Sequence, residues 1–488
     1  MPNNLVTFFL SFVFLNVFVA QANSQGPTIP KDFVLVTNSQ DFGTTKSIQQ
    51  HGVTWTFAKP VQYGQFVNGD YWVVDPGDGV QIVSISPGHT VHPDTGRDMN
   101  GSMLNPSSAT QGYDEAGYYY KDSLNVGIGV SANTPLILSS DVSLVSTISN
   151  LTPYGKDHIS YVKVAAVLTC LSSVPLEGSF RPGISSISKI LHKSSQINYH
   201  LLKNLSSPTT KPKIATYAEY FKMTWLTHSG SWTGREMHPS DGVPANYYYP
   251  EYFSTAALML HLDYTNEEKK PLLINYIQLG IDIYSYLERG ANGWPPDGGH
   301  SSARKWPILF AGIMLDYFPM KNIGQISGEY LYADGHGPGN LPPDYKHFGE
   351  DGQTFYVKQS DVDITTSPSW SPDTRSAPNY PYTSAMIGMP EWGIRYSIEP
   401  HRSDASWKAK YRNIGSGART WAGTVLAARI MDAKKLWNNN AHFDYVDRYM
   451  AIAQGDPDPF NYIVPGEQAG GSPGEFIGKI WDAYRALY

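Results

Sequence analysis

Short runs of β-branched and aromatic residues, broken by Gly, Pro, Asn and Asp, fill the chain from about residue 28 to residue 185. They are Val34–Val36, Val53–Phe57, Tyr71–Val74, Gln81–Ile85, Leu124–Val130, Leu136–Leu138, Val142–Ile148 and Ile159–Leu171. Turn signals such as Asn68-Gly69-Asp70 and Asp75-Pro76-Gly77-Asp78 punctuate them. Many short strands with regular turns predict an N-terminal β-sandwich over 28–185. Asn100 to Tyr120 interrupts the pattern as a polar, Tyr-rich loop. The stretch from Gly64 to Trp72 predicts a hairpin first and a cleft rim second.

A Ser/Lys-rich linker follows over 186–213, and the period then changes. Leu272, Leu273, Tyr276, Ile277, Leu279, Ile283, Tyr284 and Leu287 recur at three- and four-residue spacing, the mark of an amphipathic helix. Ile308–Leu315 is apolar all round and predicts a buried helix. Further helices are expected over Ile214–Leu226, Pro250–Leu262, Thr420–Leu436, Phe443–Ile452 and Pro473–Leu487. Consecutive helices joined by Trp/Gly/Pro/His-rich loops predict a helical domain over 214–488 arranged as an α/α toroid, with a central cleft lined by the loops. A Gly/Pro/Asp-rich insertion at about 334–380 carries a hairpin signal from Gly349 to Val357.

The apolar run Leu5–Ala20, closed by Ala20-Gln21-Ala22, reads as a secretory signal peptide over residues 1–22, although its first four residues hold no Lys or Arg. As a retained anchor the run is short for a span of ~20 residues. The expectation is an exported protein with no membrane partner in its mature form. Asn100, Asn150 and Asn204 head Asn-x-Ser/Thr triplets, which fits a eukaryotic secretory route. The one cysteine, Cys170, lies in an apolar stretch and reads as an inert buried thiol rather than a nucleophile.

Charge then narrows the partners. Lys+Arg number 36 against Asp+Glu 43 in 488 residues, a formal net charge of −7, which argues against a nucleic-acid partner. Aromatics make up 13% of the chain and charged residues only 16%, a balance that suits sugar stacking as well as core filling. No phosphate loop or His-Glu-x-x-His motif is present, and neither a cofactor nor a metal is expected. Asp70, Asp75 and Asp78 match no recognised calcium loop. Nothing in the pattern bears on oligomeric state.

Residues with chemical capability gather in three helix-flanking loops. The first holds Trp232, Arg235, Glu236 and His238, then Tyr247, Tyr248 and Tyr249. The second holds Trp294, Asp297, Gly298, Gly299 and His300, leading to Arg304 and Lys305. The third holds Glu391, Trp392 and Arg395, then His401, Trp407 and Arg412. Loops on a rigid scaffold are where binding groups usually sit. His300, just ahead of a helix start with Arg304 and Lys305 close by, has the makings of an anion site. The plainer alternative has Asp297 or Ser301 capping the helix and Arg304 and Lys305 on a solvated face. Likewise the three tyrosines and Trp232, Trp294 and Trp392 are candidates for ordinary packing. Asp444 and Arg448 read as a surface i,i+4 ion pair.

A secreted β-sandwich beside a helical domain, with Tyr, His, Arg and Trp in helix-flanking loops, resembles the toroidal polysaccharide lyases, and toroidal glycoside hydrolases share the helical scaffold. The domain order differs from that of many such lyases, in which the helical part comes first. The resemblance implies β-elimination of an acidic, uronate-containing polysaccharide. Arg304, Lys305 or Arg235 would then stabilise developing charge, His300 or His238 would act as base, and Tyr248 as acid or base. Trp232, Trp294, Trp392, Arg395 and His401 would bind the polymer. The second reading is an inverting hydrolase with Glu236 and Asp297 as its carboxyl pair and Glu391 in reserve. The third is a non-catalytic glycan-binding or matrix protein.

Overall fold

Lys59-Pro60 breaks the alternation of the longest strand, and the fold of the β-half follows from that break. The computed structural model describes residues 40–152, 160–229, 238–243, 249–296, 302–328, 344–368, 381–393, 417–458, 460 and 472–488. Strand β1 (Gln40–Gln50) pairs antiparallel with β2 (Val53–Gln65). Along β2, Val53, Trp55 and Phe57 are buried on one face, and exposed residues 58–60 follow. There the register slips, Thr45 facing Val61 and Ser47 facing Thr56. A bulge of this size bends the strand.

Beyond the bend each limb of β2 takes its own partner. β3 (Tyr71–Val74) pairs with residues 63–65 and β4 (Val80–Ser86) with residues 54–57. A small ribbon, β5 (Thr90–Val91) with β6 (Asp98–Met99), stands apart. β7 (Ser102–Leu104), β8 (Leu136–Leu138), β9 (Val142–Ser149) and β10 (Val162–Leu171) complete one eight-stranded sheet in the order β7-β9-β10-β3-β2-β4-β8, with β1 branching from β2. The sheet curls on itself. Trp55 on β2 donates from Nε1 to Ser146 Oγ on β9 at 3.1 Å, although β3 and β10 lie between them in the order.

β10 explains how the halves join. Almost every residue in it is buried, because both faces are covered. Val164, Ala166, Leu168 and Cys170 face the interior of the curl with Trp55, Phe57 and Ile82. Val162, Ala165 and Val167 pack on the other side with Tyr113, Ile184 and Leu226. Cys170 is fully buried and burial pushes its thiol up to about 12, so it is not a nucleophile near neutral pH.

The expected strand Leu124–Val130 is absent. Asn125 Oδ1 accepts from Ser102 N and Gly127 N, both at 2.9 Å, and holds a turn in its place. Asp70 and Asp75 are committed elsewhere. Asp75 accepts from Gly77 N, Gly79 N and Ser140, and Asp70 bonds Gln50, Asn68 and Arg181.

The helical half begins with α1 (Ile214–Tyr220), α2 (Pro250–Met259), α3 (Asn266–Glu288), α4 (Lys305–Met314) and α5 (Phe318–Lys321). It continues with α6 (Gly349–Gln353), α7 (Gln359–Thr365), α8 (Ala418–Ile430), α9 (Lys434–Trp437), α10 (Asn440–Ala453) and α11 (Glu475–Tyr484). A capping box starts α3: Thr265 Oγ1 accepts from Glu268 N, and Glu268 Oε2 from Thr265 N. The protein is thus mixed β and α, with a large helical core running from α2 through α4 and α8 to α10.

Two sequence expectations are corrected here. Gly349–Val357 is not a local hairpin: α6 is followed by β11 (Thr354–Tyr356), which pairs with the distant β12 (Pro390–Trp392). Arg448 is buried and forks Asp458 at 2.9 and 2.7 Å, while Asp444 serves Lys434 and Tyr356. The i,i+4 spacing brought those two residues near each other, but burial selected other partners.

At Gly280, α3 lies close against α4. A Cβ there would stand 2.2 Å from Pro307 O and 2.7 Å from Ala311 Cβ. Gly280→Ala gains up to ~1 kcal/mol of helix propensity, whereas overpacking a helix contact costs about 1–3 kcal/mol. The neighbour is backbone, so the cost wins. We expect a lower urea midpoint; a raised one would contradict this packing.

Candidate functional site

Trp225, in the turn after α1, is the hub on which members of the first two loops meet. Its ring lies 5.2 Å from His238, 5.9 Å from Tyr249 and 5.0 Å from Phe253. Two residues on, Thr227 O accepts from Trp294 Nε1 at 2.8 Å. His238, Tyr249 and Trp294 are therefore fixed around one short turn. All three are buried.

Arg304 closes the group. Its Nη1 donates to Tyr249 Oη at 2.6 Å and to Ser302 O at 2.8 Å, and Tyr249 Oη donates to Ser302 O at 3.0 Å. The guanidinium lies 5.6 Å from the ring centroids of both Tyr249 and Trp294. Cation–π attraction of this kind strengthens where water is excluded. Arg304 is only 1% exposed and Lys305 0%, so the solvated-face alternative for these two residues is overturned.

Lys305 makes a buried ion pair with Asp351, and its Nζ lies 5.6 Å from the Phe348 ring and 5.7 Å from Trp437. Asp351 also accepts from Trp437 Nε1 at 2.7 Å and Asn439 Nδ2 at 3.3 Å. The adjacent Glu350 takes the backbone. Its carboxylate accepts from Ala303 N (3.1 Å) and Lys305 N (3.2 Å), where Ala303 holds φ at 66°. Two consecutive acids of α6 thus clamp the turn that carries Arg304. The left-handed Ala303 persists because the surroundings determine it.

Trp392 enters from the third loop. It pairs with Thr354 in the β11–β12 ribbon, next to α6, and joins the helical core. Glu391 is buried and its Oε1 accepts from Trp392 N at 2.9 Å. Of the sequence candidates, His238, Trp294, Arg304, Lys305 and Trp392 are placed in this way. Trp232, Arg235, Glu236, Tyr248, Asp297, His300, Arg395 and His401 lie outside the described residues.

Several members were not singled out from sequence. Tyr249 is the neighbour of the chosen Tyr248 in a run of three tyrosines. Glu350 and Asp351 sat inside the misread hairpin signal. His442, at the start of α10, stacks on Trp437 at 5.1 Å, and neither ring nitrogen has a hydrogen-bond partner. Burial, aided by the Lys305 charge, lowers it to about 3, so the imidazole is neutral. His228 bonds Ser108 O (2.9 Å) and Tyr113 Oη (3.2 Å), tying the Tyr-rich loop of the β-half to the same turn as Trp225. Burial lowers His228 to about 4. No spacing rule connects residues so distant in sequence.

Burial, and after it the neighbouring Asp351 charge, raises Glu350 from 4.5 to about 7. A raised acid binds its proton more readily folded than unfolded. Its stabilising contribution is therefore fully present below pH 4.5 and is lost as pH rises to about 7. Glu350→Gln should flatten that part of the stability profile, read as urea midpoints from about pH 4 to about pH 8. An unchanged slope would remove Glu350 as its source.

Among the described residues no group of three His, Cys, Asp or Glu side chains is placed to hold a metal ion, and no helix is long and apolar enough to cross a membrane. No protein-family model, curated protein or solved structure matches the chain. The chemistry of the site therefore has to be argued from its residues alone.

Proposed function

We propose that the protein is a secreted carbohydrate-active enzyme that cleaves an acidic, uronate-containing polysaccharide by β-elimination, with its β-half a sandwich and its helical half an α/α toroid. The observation that carries the reading is the Arg304–Tyr249 contact of 2.6 Å beside Trp294, in a turn clamped by α6. It sets a guanidinium charge and an oriented phenol in surroundings from which water is excluded.

Elimination needs such a group. As C5 of the uronate loses its proton, negative charge grows on the carboxylate, and a preorganised cation opposes it most strongly at low dielectric. Arg304 supplies that charge in this reading. His238 or His300 takes the C5 proton, and a tyrosine of the Tyr247–Tyr249 run protonates the departing O4. Lys305 is neutralised by Asp351, so its role becomes one of holding the start of α4. Trp294 is buried with Nε1 on Thr227 O, which makes it a support for Arg304.

The inverting-hydrolase reading gains one observation, a carboxyl raised to about 7 at Glu350. That value suits a general acid. Both Glu350 oxygens are on backbone N–H groups, however, which suits a clamp better. A glycan-binding protein would have no need of so enclosed a cation.

Mass analysis of the chains released from a uronate polymer tests the proposal. Elimination leaves each new non-reducing end one water lighter than hydrolysis does. Products of full hydrolytic mass would replace elimination with hydrolysis.

A further inference from the structure

The three Asn-x-Ser/Thr triplets present their amide nitrogens to the fold in different ways. Asn150 Nδ2 donates to Ser160 O at 2.6 Å and to Ser240 Oγ at 2.8 Å, so both of its N–H groups are engaged. Asn100, half-buried with φ 57°, donates from Nδ2 to Gly88 O at 3.2 Å and accepts at Oδ1 from Ser149 N at 2.9 Å. The third residue of its triplet, Ser102, is buried with its hydroxyl on Ser146 Oγ. Asn204 is exposed, and so is Ser206. Its Oδ1 accepts from Lys269 Nζ at 3.1 Å, and its Nδ2 makes no hydrogen bond among the described residues.

The segment around Asn204 is well held. Leu205 N donates to His261 O and Asp263 N to Leu205 O, both at 2.9 Å, and Tyr484 Oη donates to Ser206 O. Its backbone is thus anchored immediately after Asn204 while the side chain faces water.

We propose that Asn204 is the N-glycosylation site of the folded protein and that Asn100 and Asn150 stay unmodified. The proposal rests on the export reading. The donor is an oligosaccharide linked through its C1 to a polyprenyl pyrophosphate. The Nδ2–C1 bond forms, the C1–O bond to pyrophosphate breaks, and the amide loses one proton and keeps one N–H. At Asn150 the sugar would replace an N–H that the fold uses and would wedge between Ser160 and Ser240. At Asn100 one N–H is engaged with Gly88 O, and the half-buried side chain and the buried Ser102 of its triplet leave the sugar and its transferase little access. At Asn204 the Lys269 bond is to the other amide atom and survives.

The experiment expresses the full chain in a eukaryotic secretory host, once with its own N-terminus and once behind an added host leader. The folded product is deglycosylated by an amidase in heavy-oxygen water, which converts each glycosylated Asn to labelled Asp, and its peptides are mapped by mass. With the added leader, label is expected at position 204 alone, and Asn204→Gln abolishes it without moving the unfolding midpoint. An unlabelled Asn204, or label at 100 or 150, overturns the proposal. Label at 204 with the added leader but not without it supports the site and instead refutes export by the native N-terminus.

Discussion

Asp282→Ala is expected to destabilise the protein by about 3–5 kcal/mol, the cost of leaving a buried charge without its partner. Arg181, in the segment after β10, forks Asp282 of α3 through Nη1 (2.8 Å) and Nη2 (2.5 Å), and its Nε reaches Asp70 at 2.5 Å. All three side chains are buried. Asp282 also accepts from Thr224 Oγ1 at 2.9 Å and Ile184 N at 3.3 Å, so its loss strands donors on several segments. The triad ties the β2–β3 turn to the C-terminal half of α3 and sets the β-half against the helical one. By contrast, breaking the exposed Lys211–Asp263 pair should leave the midpoint nearly unchanged. Urea midpoints of the two variants make the comparison. Equal midpoints would mean that the triad does not hold the halves together.

Arg304→Gln should lower kcat on a uronate polymer by about 10²–10³-fold, the loss usual for removing one preorganised charge-stabilising donor. Gln retains polar contact with Ser302 O but carries no charge. Arg304→Lys restores the charge on a shorter side chain in place of the planar guanidinium whose Nη1 reaches both Tyr249 Oη and Ser302 O, so a partial recovery is expected. The rate is read with the unfolding midpoint, because Arg304 is buried and a fold-wide loss would also lower activity. If Arg304→Gln is stable and fully active, Arg304 is structural and the charge-stabilising role is withdrawn.

What the sequence disclosed follows the range of each physical signal. Local periodicity located α3, α4 and α10, because a helix is specified by neighbours three and four residues apart. It located β2, β3 and β9 as well. It overlooked β1, whose residues Gln40–Gln50 are largely polar and whose order comes from pairing with β2. Gly349–Val357 was misread because β11 finds its partner beyond residue 389, and no local pattern records that pairing.

The site divides along the same line. Arg304, Trp294 and His238 stood out because polar and aromatic residues crowd helix-flanking loops. Glu350, Asp351, His228 and Tyr113 became visible only once the fold brought segments separated by tens of residues together. For Tyr249 the sequence pointed to the right run of tyrosines, and only the hydrogen bond to Arg304 distinguishes it.

The central claim is elimination, and the most direct measurement follows ultraviolet absorbance and reducing ends together while the wild-type protein acts on a panel of acidic and neutral polysaccharides. The account predicts that both signals rise in step on a uronate-containing polymer, one unsaturated end for each new reducing end. Reducing ends without absorbance would contradict elimination and establish hydrolysis. Neither signal on a polymer that the protein binds would contradict the enzyme reading altogether.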